Sequence, residues 1–172
     1  NYGQLGDGTT VNKSSPIQVG VLTNWAKSAG GGGTTLYVKT DGTLWAWGQG
    51  QYGQLGDGTT VNKSSPVQIG ALTTWYSIAG GDQHSLATTT DGKLYAWGQG
   101  ANGQLGLGNT EPTSSPVQVG ALTTWANVAA GAVYSLAIKT DGTIWSFGYN
   151  GQGQLGQGNT TNYSSPVQIG AL

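Results

Sequence analysis

"GQLGDGTTVNKSSP" occupies residues 3–16 and returns without a change at residues 53–66. Residues 1–20 and 51–70 share seventeen of twenty positions, differing only at Asn1/Gln51, Ile17/Val67 and Val19/Ile69. The tetrapeptide Gly-Gln-Leu-Gly stands at 3–6, 53–56, 103–106 and 153–156, and Ser-Ser-Pro closes the same stretch at 14–16, 64–66, 114–116 and 164–166. The chain is therefore one repeat array over 1–172, with units at 1–50, 51–100 and 101–150 and a partial unit at 151–172. A fixed period of this length marks a stack of supersecondary units, each burying its faces against its neighbours.

Working outward from the repeated stretch, each unit reads as four strands. In the set that begins in the third unit these are "WANVAAG" (125–131), "YSLAIKT" (134–140), "TIWSFG" (143–148) and, from the partial unit, "PVQIG" (166–170). Apolar residues alternate with polar ones at a period of two, as half-buried strands require. Thr-Asp-Gly at 40–42, 90–92 and 140–142 joins the second strand to the third, and Asp-Gly suits a type I′ hairpin. Proline at 16, 66, 116 and 166 is expected to open the fourth strand, where no central ladder needs its N–H. No stretch carries helical spacing with caps at both ends.

Four-stranded antiparallel units of this length with recurring aromatics describe the blades of an all-β β-propeller. The sequence predicts about three and a quarter blades and thirteen strands, opening with a fourth strand at Pro16–Gly20. Trp45, Trp47, Tyr95, Trp97, Trp145 and Phe147 recur on the third strands and are expected to pack between blades. The recurring Leu5, Leu55, Leu105 and Leu155 are expected to plug the loop against a blade.

Composition narrows the chemistry. The chain has 32 glycines, seven tryptophans and eight tyrosines, but no cysteine, methionine or arginine. Six lysines face seven acids, a net charge of −1, which gives nucleic acid or an anionic membrane no electrostatic hold. No apolar run is long enough for a helical membrane span. The start at Asn1, without methionine, leads us to expect a segment of a longer chain.

Catalytic and ligand motifs fail on their own terms. "GQLGDG" has the glycines of a phosphate loop but neither the lysine nor the following helix. Asp7 and Asp57 become Leu107 and Gln157, against a repeated calcium site. Asp82, His84 and Ser85 spell a hydrolytic triad, but neighbours on one strand point to opposite faces. One histidine cannot build a typical zinc site. No enzymatic activity and no cofactor are expected.

"LYAWGQGANGQLGLG" (94–108) followed by "SSPVQVG", with "IAGGDQHSLATTTDG" at 78–92, resembles the regulator of chromosome condensation repeat family over the whole chain. Kelch repeats share the period but lack the Gly-Gln-Leu-Gly loop. The resemblance implies a ring of seven blades, of which this chain supplies a part. It also brings the founding member's role as nucleotide exchange factor for a small GTPase docked on chromatin, but no basic tail or projecting insertion is present. The family's ultraviolet-B photoreceptor uses arginine salt bridges that this chain cannot make. Near-identical units written in this style are similar to those of bacterial secreted proteins and of bacteriophage structural proteins.

Two functions are carried forward. The first is a structural or binding module of an exterior surface, extracellular or on a virion, recognising a host receptor or glycan. The second is an intracellular protein-interaction scaffold, including regulation of a small GTPase. Expected partners are a protein or glycan on a host surface, and other copies or the rest of its own longer chain. The candidate contact residues lie where near-copies disagree: the link between first and second strands reads Gly-Gly-Gly-Thr at 31–34, Gly-Asp-Gln-His at 81–84 and Gly-Ala-Val-Tyr at 131–134. These are Asp82, Gln83, His84, Val133 and Tyr134. Loops on a rigid scaffold carry recognition. The other divergent loop is Leu107–Thr113.

Overall fold

The computed structural model describes residues 2–170, which contain twelve strands and no helix, hence none long and apolar enough to cross a membrane. The first blade comprises β1 (Trp25–Gly30), β2 (Thr34–Lys39), β3 (Leu44–Gly48) and β4 (Lys63–Gln68). The second has β5 (Trp75–Gly80), β6 (His84–Thr89), β7 (Leu94–Gly98) and β8 (Thr113–Gln118). The third has β9 (Trp125–Ala130), β10 (Tyr134–Lys139), β11 (Ile144–Gly148) and β12 (Tyr163–Gln168). Each blade is an antiparallel sheet with its strands in chain order.

Three sequence expectations change. Pro16–Gly20 is not a strand, because no third strand lies beside it to complete a ladder; the array is three blades with a non-strand lead-in. The fourth strands begin three residues before their prolines. Pro66 sits inside β4, an outer strand whose register slips between Ala46 and Gly48, so its missing N–H costs the ladder little. The Thr-Asp-Gly turn is not type I′ either. Only the glycine has positive φ (76° at Gly42), with Gly42 N donating to Lys39 O and Lys39 N to Thr43 O. This is the three-residue hairpin closed by a left-handed glycine. Asp41 Oδ1 accepts from Thr43 N and Thr43 Oγ1, which fixes the tip.

The core lies between blades. Leu36, Val38, Leu44 and Ala46 of the first blade cluster with Trp75, Ala87 and Trp97 of the second. Leu86, Leu94 and Ala96 of the second then cluster with Trp125, Ala137 and Phe147 of the third. Each blade thus offers an aliphatic face to the aromatic face of the next. At the array's two ends these faces lie open. Trp25, Tyr37 and Trp45 are only half-buried on the first blade, while Ile138 and Ile144 of the third are 40% and 46% exposed.

The Gly-Gln-Leu-Gly loop is the fastener between blades. It leaves β3 of one blade and lies on the next, where Gly58 N donates to Ser114 O and Trp97 Nε1 to Gln54 O, both at 2.9 Å. Ser85 Oγ donates to the same Gln54 carbonyl at 2.8 Å. Gln54 Oε1 accepts from Tyr52 N and holds the loop in shape. Leu55, Leu105 and Leu155 plug as expected, each 1% exposed or less. Leu5 does not: it is 38% exposed, since nothing among the described residues stands where Gly50 meets Leu55. Asp7 and Asp57 pair with Lys13 and Lys63 at 3.3 Å, so these carboxylates tie down their own loops.

Candidate binding surface

The inner strands β1, β5 and β9 run side by side, which brings their following turns (31–33, 81–83 and 131–133) together at one end of the array. All three turns close by the same bond: Gly31 N to Thr34 O, Gly81 N to His84 O, Gly131 N to Tyr134 O. They are also laced to each other, with Gly32 N donating to Gly81 O at 3.1 Å and Asp82 N to Ala132 O at 3.0 Å. A Cβ on Gly31 would collide with the carbonyl of Gly81, so the close approach demands glycine there. Gln49, Gln99 and Tyr149 donate their backbone N–H groups to Gly33, Gln83 and Val133, closing the frame from the loop side.

On this constant backbone the side chains differ. Asp82 is exposed, and Gln83, Val133 and Tyr134 are half-buried. His84 departs from the expectation of a solvent-facing contact residue: it is 1% exposed, wedged between the second and third blades. Its Nε2 lies 2.9 Å from Ser135 Oγ, which donates to Gln104 O at 2.7 Å. Burial lowers its pKa from 6.5 to about 4. The first unit has Thr34 at this position, donating from Oγ1 to Gln49 O, and the third has Tyr134.

These contacts do not assemble a hydrolytic centre from Asp82, His84 and Ser85. His84 faces Ser135, and Ser85 donates to Gln54 O. Among the described residues no group of three or more His, Asp or Glu side chains could hold a metal ion. The sequence reading missed Ser135 and Gln104. The only trace of them was the recurrence of Ser at 85 and 135 and of Gln at 54 and 104, which periodicity could attribute equally to packing.

The geometry and the sequence patterns converge in comparisons with known proteins. The profile described as "Regulator of chromosome condensation (RCC1) repeat" matches residues 41–88, 91–138 and 141–172, and a second profile of the same description matches 75–104 and 125–154. No curated protein sequence matches the chain significantly. Among solved structures, Prp20p of Saccharomyces cerevisiae, described with its binding properties to Gsp1p and histones, is 25% identical with a TM-score of 0.84 over 98% of this chain and 44% of its own. Human WBSCR16 is 21% identical with a TM-score of 0.84, over 99% of this chain and 46% of its own. Yeast RCC1 (Prp20) bound to Kap60 is 23% identical with a TM-score of 0.83, over 98% of this chain and 43% of its own. The chain spans less than half the length of each.

Proposed function

The chain belongs to the regulator of chromosome condensation (RCC1) repeat family, and we propose, as a reading that goes beyond that membership, that it is a non-enzymatic binding module displayed on an exterior surface, extracellular or on a virion, where it contacts a protein or glycan of a host. The observation that carries this reading is the turn cluster. Three turns with one backbone geometry, laced together and built on glycine, present different side chains in each unit. Packing does not easily demand that Gly33, Gln83 and Val133 differ at equivalent places, whereas a surface selected for a particular ligand can use such differences. Low charge and polar loops suit a surface that stays dissolved while its contacts rest on hydrogen bonds and aromatic area. We take the 172 residues as one array within a longer propeller, in keeping with its share of its relatives' length.

The test replaces the accessible variable residues with those of the first unit: Asp82→Gly, Gln83→Gly, Val133→Gly and Tyr134→Thr, leaving buried His84 in place. The labelled chain is applied to a panel of bacterial and eukaryotic cell surfaces. Surface binding that the fourfold variant loses, with an unchanged circular dichroism spectrum, supports the reading. Equal binding by the two proteins moves the contact elsewhere.

The similarity to Prp20p, whose partners are the proteins Gsp1p and histones, favours a second reading as an intracellular protein-interaction scaffold, including regulation of a small GTPase. Nucleotide release from purified small GTPases separates the two. Acceleration by this chain would favour the scaffold; no acceleration together with cell-surface binding favours the exterior module.

A further inference from the structure

Two crevices away from the turn cluster repeat in register. One, of about 440 Å³, is lined by Asp7, Val19, Leu22, Trp25, Trp45 and Pro66. The other, of about 260 Å³, is lined by Leu107, Val119, Leu122, Trp125, Trp145 and Pro166. Every residue of the second stands one hundred positions after its counterpart in the first. Each crevice opens between a Gly-Gln-Leu-Gly loop with its following connection and the aromatic face of the next blade.

Their walls share a chemistry. Two indoles meet nearly at right angles: Trp25 and Trp45 at 88° with centroids 6.1 Å apart, Trp125 and Trp145 at 81° and 5.8 Å. Lys39 and Lys139 place their Nζ atoms 3.7 Å from the Trp45 and Trp145 centroids, so both cations are already engaged on aromatic rings. Asp7 is paired with Lys13, and Leu107 replaces it in the second crevice. Neither crevice therefore offers an unpaired charge as a shared feature, which argues against an ionic ligand. The polar groups they share are the exposed hydroxyls of Ser65 and Ser165.

We infer that these crevices are two equivalent sites for a neutral pyranose residue of a glycan, seated against Trp45 and Trp145. A pyranose joins an apolar C–H face, which packs on an indole, to an edge of hydroxyls, which serine and backbone groups bind. One volume falls in the lower half of the roughly 300–1,000 Å³ typical of ligand sites and the other just below it, suiting a small ligand such as one ring. A proline-rich peptide is the other neutral, ring-bearing occupant, but it docks along a continuous aromatic-lined groove. Here the crevices lie on separate blades, and Tyr95 takes the tryptophan position in the blade between them. Two sites on one rigid array raise the avidity for a dense glycan over that for a free sugar by roughly a hundredfold or more, when both engage together.

This inference stands apart from the turn cluster, so the fourfold turn variant should keep sugar binding. The experiment follows tryptophan fluorescence and ligand-observed NMR with the methyl glycosides of glucose, galactose, mannose and N-acetylglucosamine. At least one should bind saturably in the millimolar range. Ser65→Arg with Ser165→Arg, at exposed positions that spare the core, should fill both crevices and weaken binding about tenfold or more. Absence of saturable binding to all four glycosides overturns the assignment, as does equal binding by the arginine variant. So does a proline-rich peptide that the arginine variant displaces while the sugars fail.

Discussion

His84 Nε2 lies 2.9 Å from Ser135 Oγ, and this contact joins the second blade to the third. Because Ser135 gives its proton to Gln104 O, the imidazole donates from Nε2, and its Nδ1 is left buried with no hydrogen-bond partner. Charging the ring would add a proton at Nδ1 that nothing accepts, in a place water does not reach.

That arrangement sets a pH dependence with a definite sign. The folded-state pKa is about 4 against 6.5 for an ordinary histidine, so the unfolded chain binds more protons between those values. Stability from this group is complete above pH 6.5 and drains as the pH falls toward 4. The loss amounts to about 3 kcal/mol, at ~1.4 kcal/mol per tenfold change in proton affinity. Urea unfolding at pH 7 and at mildly acidic pH measures it, and His84→Thr, borrowing Thr34 of the first unit, should flatten the difference. An equal pH slope in that variant would remove His84 as the cause.

Leu55 is fully buried between its loop and the core of the first two blades. Leu55→Ala should cost about 2–5 kcal/mol, the range for a large-to-small change in a packed interior. The equivalent Leu5→Ala, at a 38% exposed position, should cost far less. Similar losses at the two positions would mean that the loop plug does not depend on a covering blade.

Trp97→Phe isolates the fastener's side-chain bond. The change removes the Nε1 donor to Gln54 O but keeps an aromatic ring, as Phe147 does at the equivalent position. We expect a loss of about 1–3 kcal/mol, from a buried carbonyl that keeps only its Ser85 partner and from the smaller ring. Chemical denaturation reads it directly, and a neutral result would assign the junction's strength to backbone bonds alone.

The three-blade organisation was legible because its signals are local and periodic: a fixed spacing, alternating apolar residues and Asp-Gly turns. What escaped is what depends on a neighbour. Pro16–Gly20 carries the same residues as a true fourth strand, and only the lack of an adjacent third strand keeps it from being one. His84 looked like a loop side chain because the turn is local, whereas it is buried at the junction with the third blade, where it meets Ser135, fifty-one residues further on. The Asp-Gly pair identified the hairpin but not its type, which the φ of Asp41 decides together with its bonds to Thr43. The variation among the turns was visible in the sequence; the lacing that holds them on one frame was not.

The open end faces lead to a prediction for the 172-residue chain in isolation. Half-buried Trp25 and Tyr37 at one end and exposed Ile138 and Ile144 at the other match the two sides of an internal blade junction. Head-to-tail association should follow as concentration rises, since such a contact joins unlike patches and does not close on itself as a twofold pair does. Ile138→Lys with Ile144→Lys should suppress it. Sedimentation that finds a monomer at high concentration, or association that the lysine variant does not change, would contradict the pairing of these faces.

The Gly-Gln-Leu-Gly fastener also bears on how such an array changes length. Each junction is made by the loop that leaves one blade gripping the serine and the aromatic of the following blade, and both halves recur every fifty residues. A gain or loss of one whole period by unequal recombination would therefore hand each loop a ready-made recipient, with no new interface to invent. Copy number is then the variable that selection can move in a single step, while the side chains at the turns diversify afterwards, unit by unit.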